Sequence, residues 1–346
     1  MSLPSDRLQK DDKVLIIGVT GLVGASTADA LAQRGLKVVG ATRQVGPRTQ
    51  PLKDKLDGLY GKDTIEFVQI KDYTDVNEYR AILHGVAGIV YQAYDLSTLD
   101  TTKAVETAYK TTWAILEAAY ETPSVKSIVF TSSTAAIYNA TYGQDMDLSL
   151  DDYNDTGYEK AFRLPDDAPE KFGFVYSATK VKMEKTLWDF VKQHKPSFAV
   201  NTVLPHMVLG KPFNPAEGVY STSTWTKWIF EGKLDNNPGV GFWLPSEWHI
   251  DVRDVAIIHV AALLDPEVNG QRMWAAVAPP VHINELLAQW REQYPERQFV
   301  QDFDVPSPPK QNILDNSLGQ KLLEKWAGRD LISFEEMIHE TIEDSL

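Results

Sequence analysis

The sequence predicts an α/β fold, a doubly wound sheet of parallel strands with a smaller, interleaved C-terminal domain. Three observations carry this reading. Short apolar runs alternate with segments of helical spacing through the first two hundred or so residues. The first run leads directly into a glycine turn that opens a helix. After Pro205 the alternation gives way to a stretch rich in Gly, Pro and Trp.

Val14–Ile17, between Lys13 and Gly18, is a short apolar run suited to a strand covered on both faces. Behind the turn, Ala28, Leu31 and Ala32 form a helical stripe, and Gly35 stands where a helix C-cap belongs. A second strand, 36–41, completes a βαβ unit, whose crossover is right-handed. The alternation continues with a strand over 65–70, a short helix over 76–83 and a strand over 88–93. A helix over 101–120, with Val105, Ala108, Thr112, Ile115 and Ala119 at helical spacing, precedes a strand over 127–131. A long helix over 176–192 and a strand over 199–204 follow. The segment 138–172 is acidic and aperiodic, which predicts a long loop over one end of the sheet, either a lid or a solvated insertion. Beyond Pro205, a βα-like piece spans 250–264, and helices are expected over 281–294, 317–326 and 333–344. Pro306, Pro308 and Pro309 mark a linker. The resulting division assigns 1–205 plus about 250–275 to the larger domain, and 206–249 plus 276–346 to the smaller, substrate-binding one.

Composition narrows the function classes. The chain has 346 residues, 43% hydrophobic and 24% charged, which are ordinary globular values. Its net charge of −14 repels phosphate backbones and anionic lipid, which argues against nucleic-acid and membrane-surface partners. Cysteine is absent, excluding disulfides, thiol catalysis and thiolate metal sites. The histidines form no HxxxH or His/carboxylate cluster, so no metal site is expected. No apolar segment precedes the first strand, and the longest nearly unbroken apolar run, Val255–Leu264, is interrupted by His259. A soluble, cytoplasmic protein is expected, as monomer or homodimer.

Gly18, Gly21 and Gly24 lie between the first strand and its helix. There, glycine allows a tight turn and close approach of a pyrophosphate, which the helix N-terminus then meets with unpaired N–H groups. The turn residues Gly18, Thr20, Gly21, Leu22, Val23 and Gly24 are therefore candidate dinucleotide contacts, in a Rossmann-like domain. At the end of the second strand, where a carboxylate would read a ribose 2′-hydroxyl, the sequence has Thr42-Arg43, with Arg48 nearby. A guanidinium there suits a 2′-phosphate and favours NADP(H). Otherwise Arg43 is a surface arginine of a loop.

Tyr176 and Lys180 stand four apart on a helix, so phenol and ammonium share one face. A free tyrosine titrates near 10, too high for proton exchange at neutral pH, and an adjacent cation lowers it. Ser132 and Ser133 follow a strand at the carboxyl edge of the sheet, where such sheets bind ligands.

These motifs resemble the extended short-chain dehydrogenase/reductase family. The stretches Ile128-Val-Phe-Thr-Ser-Ser133, Tyr176-Ser-Ala-Thr-Lys180, Trp188-Asp-Phe190, 202–210 and 249–255 narrow the resemblance. They are similar to the dihydroflavonol 4-reductase branch, with its fungal NADPH-dependent aldehyde and ketone reductases of the methylglyoxal/isovaleraldehyde reductase type. The resemblance implies that Ser133 polarises a substrate carbonyl, with Ser132 as the adjacent alternative. It implies that Tyr176 donates the proton, and that Lys180 binds the nicotinamide ribose and tunes the tyrosine. It also implies cofactor contacts at Asp72, Tyr73, Ala93, Pro205 and Val208. Tyr94, Thr134, His206 and Trp243 are candidate substrate contacts, and Trp225 and Trp228 either line a pocket or belong to a core. The chain departs from the family at Tyr94, at His206, and at Ala108, where many members have Asn. The expected activity is reduction of an aldehyde or ketone. The rivals are a nucleotide-sugar epimerase or dehydratase of the same fold, and a non-catalytic NADP-sensing protein.

Overall fold

The computed structural model describes residues 7–93, 98–139, 145–214, 222–235, 248–304 and 310–346. Its centre is a seven-stranded sheet in the order β10-β7-β5-β4-β1-β2-β3. The strands are β1 (Lys13–Ile17), β2 (Lys37–Thr42), β3 (Ile65–Gln69), β4 (Val86–Tyr91), β5 (Ser127–Thr131), β7 (Ala199–Pro205) and β10 (Arg272–Ala275). Every neighbouring pair is parallel, so the sheet is doubly wound and Rossmann-like, as expected.

Side chains of a strand alternate between faces, and β1 shows the consequence. Val14 and Ile16 enter a core with α1 (Leu22–Ala32) and α8 (Val252–Leu264). Leu15 and Ile17 enter the opposite core with α4 (Thr101–Tyr120) and α6 (Lys171–His194). Both faces are covered, which is why the strands read as unbroken apolar runs. The strand order reverses between β1 and β4, a switch point at whose carboxyl side sheets of this kind bind ligands.

Two further helices, α2 (Gln50–Tyr60) and α3 (Val76–Ile82), complete the first half. A third apolar cluster joins β8 (Met207–Leu209), α7 (Thr222–Phe230), α9 (Ile283–Gln293) and α11 (Phe334–Ile342). Within this part β8 pairs in parallel with β9 (His249–Asp251). α10 (Ser317–Ala327) instead packs on α8 and the sheet.

The segment 138–172 is not a structureless loop. It contains β6 (Met146–Leu148), which pairs in parallel with β11 (Gln311–Ile313), then α5 (Asp155–Arg163) and the beginning of α6. Polar contacts fix it in place. The Asn154 amide donates to the Ala135 carbonyl (3.0 Å) and to Asn139 Oδ1 (2.7 Å), while its Oδ1 accepts from Gly157 N (2.9 Å), capping α5. Asn139 in turn donates to Ser177 Oγ on α6 (2.9 Å). The buried Lys171 ammonium donates to the carbonyls of Ala161 and Leu164 (2.9 Å each), satisfying the last turn of α5. The proline-marked linker at 306–309 lies outside the described residues.

Because Asn154 joins three segments from a buried position, Asn154→Ala is expected to cost about 1–3 kcal/mol, read as a lower midpoint in urea denaturation.

Candidate active site

Gly18 closes β1 with φ of +90°. A Cβ there would lie 2.8 Å from the Ala93 nitrogen, and a Cβ at Gly24 would lie 2.1 Å from the Gly18 carbonyl oxygen. Only glycine fits at either position. Gly21 differs: it donates to Gly18 O (3.0 Å), precedes α1 as its N-cap, and has no side chain to occupy the helix N-terminus. No acidic residue stands in the first turn of α1, where Leu22 and Val23 lie. Thr20, half-buried, precedes the cap. The turn thus offers helix N-terminal N–H groups and a positive dipole to an anion, at the switch point where the strand order reverses.

Arg43 is exposed just beyond β2, its carbonyl held by Gln69 Nε2 of the neighbouring strand (2.9 Å). Its guanidinium forms no ion pair among the described residues, and its charge bears on the Tyr73 phenol. Burial pushes that phenol up, against the pull of Arg43. Asp72 Oδ1 accepts from both the nitrogen (2.8 Å) and the hydroxyl (2.7 Å) of Thr74, which lowers its pKa. Arg43, Asp72 and Tyr73 therefore follow the carboxyl ends of β2 and β3, and Ala93, after β4, lies against the glycine turn. The glycine turn and the helix N-terminus behind it fit the pyrophosphate of a nicotinamide dinucleotide.

On the other side of the switch point, Lys180 is 3% exposed. Its ammonium donates to the carbonyl of Thr131, the last residue of β5 (2.9 Å), and lies 5.7 Å from the centroid of the Tyr176 ring. Ser133 follows two residues later in extended conformation, its Oγ accepting from Ala135 N (3.2 Å) at the start of a single helical turn over 134–136. Among the described residues no acceptor takes its own O–H. Ser132 is more deeply buried; its nitrogen donates to Val203 O (2.8 Å), and its Oγ has no hydrogen-bond partner among the described residues. Thr134 is buried in the turn. The Lys180–Thr131 bond thus holds α6, with Tyr176 and Lys180 on one face, against the strand end from which Ser132 and Ser133 follow.

Burial pushes the Lys180 ammonium down to about 8, with Glu184 one turn along opposing the shift. Behind it, Thr131 Oγ1 lies 2.6 Å from His259 Nε2, and His259 Nδ1 lies 2.7 Å from the Val255 carbonyl. The carbonyl requires Nδ1–H as donor, so Nε2 accepts from the threonine hydroxyl. Burial holds His259 down at about 4 and keeps it neutral. The sequence reading brings only His206 near the chemistry. A lone histidine in the apolar stripe of α8, which must find a polar partner, was the available signal. α4 is unbroken through Ala108, whose methyl side chain has no polar atom to join a hydrogen-bonded set.

His206, 7% exposed, follows Pro205 at the end of β7. Its ring packs 5.6 Å from Trp274 and its Nδ1 stands 3.5 Å from the Tyr138 hydroxyl, which donates to Gln311 Oε1 (2.9 Å). Burial holds His206 well below the usual imidazole range. Val208 lies in β8. Trp225 and Trp228 are half-buried on α7, while Tyr94 and Trp243 lie outside the described residues. Among the described residues no group of three or more His, Asp or Glu side chains could hold a metal ion, and no helix is long and apolar enough to cross a membrane.

A parallel sheet with a glycine turn at its switch point and a Tyr-Lys helix beside it defines a class, the extended short-chain dehydrogenase/reductases. The chain belongs to that class: residues 14–276 match the NAD dependent epimerase/dehydratase family. Among its relatives is the NAD-dependent epimerase/dehydratase terH of Aspergillus terreus, 32% identical over 303 residues, 87% of this chain and 88% of the relative. Another is aldehyde reductase 2 of Sporidiobolus salmonicolor, 30% identical over 298 residues, 86% of this chain and 85% of the relative. The fold is shared with yeast methylglyoxal/isovaleraldehyde reductase Gre2 complexed with NADPH, at a TM-score of 0.75, 19% identity, 96% of this chain and 97% of that one.

The buried lysine has a consequence for stability. Unfolded, Lys180 titrates near the ordinary value of 10.5; folded, near 8. Between these values the unfolded chain binds the extra proton, so this residue makes stability rise as pH climbs from about 8 to about 10.5, by up to about 3 kcal/mol. In Lys180→Met that contribution is absent, and chemical denaturation across pH 7.5–10.5 is expected to show a flatter profile than the wild type.

Proposed function

We propose that the chain is an NADPH-dependent carbonyl reductase acting on an aldehyde or ketone. The observation that supports this reading is the Lys180–Thr131 hydrogen bond, which ties α6 to the strand end that leads into Ser133. A relative named as an aldehyde reductase and a fold neighbour complexed with NADPH support it.

In this reading the glycine turn and the N-terminus of α1 hold the pyrophosphate, Arg43 meets the 2′-phosphate, and Asp72, Tyr73, Ala93, Pro205 and Val208 border the rest of the cofactor. When bound, NADPH supplies a hydride for the carbonyl carbon. Ser133 donates its hydroxyl to the carbonyl oxygen and fixes the direction of approach. Tyr176 gives that oxygen a proton as negative charge gathers there, and the Lys180 cation stabilises the phenolate left behind. Thr131, locked from behind by His259, keeps the ammonium aimed. Thr134 and His206, with the 206–249 and 276–346 segments, form the substrate side.

Tyr176→Phe is expected to lower turnover of a panel of aldehydes and ketones by about 10²–10⁴-fold while NADPH still binds, followed as loss of NADPH absorbance and by fluorescence titration. Near-normal turnover in that variant would remove the mechanism. Arg43→Ala is expected to weaken NADPH by about 10–100-fold and leave NADH nearly unchanged. Equal losses for both cofactors would assign the guanidinium another role.

A further inference from the structure

The face of α6 that carries Tyr176 and Lys180 continues one turn further to Glu184, which is fully buried. A buried carboxylate needs a partner, and here it is Arg272 at the start of β10. The guanidinium reaches Glu184 with two nitrogens, Nη2 to Oε2 at 2.7 Å and Nε to Oε1 at 3.3 Å. Its third nitrogen bonds the carbonyls of Leu150 and Asp152 (3.0 Å to the latter), and its Cζ lies 4.2 Å from the centroid of the Tyr153 ring. One arginine therefore joins the catalytic helix, the edge strand and the acidic segment.

Nothing in the mechanism above uses this pair, yet it stands behind the residue whose charge the mechanism requires. Among the described residues, the titratable groups around Lys180 are Tyr176 and Glu184 on its own helix and His259 on α8, with Arg272 of β10 and Tyr153 on the far side of Glu184. His259 is neutral and Tyr153 is held protonated, so neither supplies negative charge. Among the described residues, Glu184 is the carboxylate one turn along the same helix face whose charge acts on the buried Lys180 ammonium.

We propose that Glu184 is a positioning residue that keeps Lys180 cationic, and that Arg272 sets how much of the Glu184 charge Lys180 experiences. The catalytic meaning of this pair rests on the reductase reading; its electrostatic action on Lys180 does not.

The test uses the full chain, labelled with ¹³Cε-lysine, with the Lys180 resonance assigned from Lys180→Met and titrated by NMR without substrate. Glu184→Gln keeps the shape and a hydrogen-bond acceptor for Arg272 but removes the anion. The Lys180 midpoint is expected to fall by about one pH unit or more, since the ammonium then faces an uncompensated guanidinium. Arg272→Met alone strands a buried carboxylate and invites misfolding, so the second variant is Glu184→Gln with Arg272→Met. With both charges gone, the midpoint is expected to return at least part of the way to the wild-type value. A midpoint that is unmoved or raised in Glu184→Gln, or a double variant that does not recover, overturns the proposal. A purely structural role would move neither midpoint in this opposed way. A separate assay of NADPH-dependent carbonyl reduction decides the functional reading, because a chain that reduces nothing still yields the titration.

Discussion

The buried hydrogen bond from the Lys180 ammonium to the Thr131 carbonyl constrains everything around it. An ammonium taken out of water must keep every partner it has, because separation would leave a charge stranded in the core. The long helix α6 is thereby held against the end of β5, and Ser133 inherits its position from that contact. On the opposite side, the neutral His259 holds the hydroxyl of the same threonine. One residue at a strand end is gripped from two helices.

The acidic segment between β5 and α6 adds a second layer of polar constraint. Asn154 spans from the Ser133 turn to the cap of α5, Lys171 closes the other end of α5, and Arg272 clasps the carbonyls of the stretch between β6 and α5. Apolar burial fixes where the sheet and helices lie. These directional bonds fix how the loops above the sheet are set, to a precision that apolar packing alone does not give.

The β1–α1–β2 unit was legible in the sequence because each signal there is local: an apolar run, glycines at fixed steps and an apolar helical stripe. β10 was not recognised, since its four residues begin with a charged arginine whose role is to reach a distant glutamate. α5 was missed for a related reason. It buries only Gly157 and Ala161 and is held by side-chain-to-backbone bonds that leave no periodic trace. α2 shows two buried leucines behind a proline, too sparse a stripe to stand out. At the site, the Tyr176–Lys180 spacing and the serine pair were visible because helix geometry alone relates the first two. His259 and Arg272 were not, because only the tertiary fold brings α8 and β10 to the same threonine and glutamate.

The pairing of β6 with β11, and the bond from Tyr138 to Gln311, join parts of the chain 165 and 173 residues apart. They close the wall next to the Ser133 turn with material from late in the polypeptide. During synthesis on the ribosome, the glycine turn and the strands through β7 emerge about a hundred residues before Gln311, whereas β10 precedes it by fewer than forty. A chain that ends before residue 311 would therefore carry β6 without its parallel partner and the Tyr138 hydroxyl without its Gln311 acceptor.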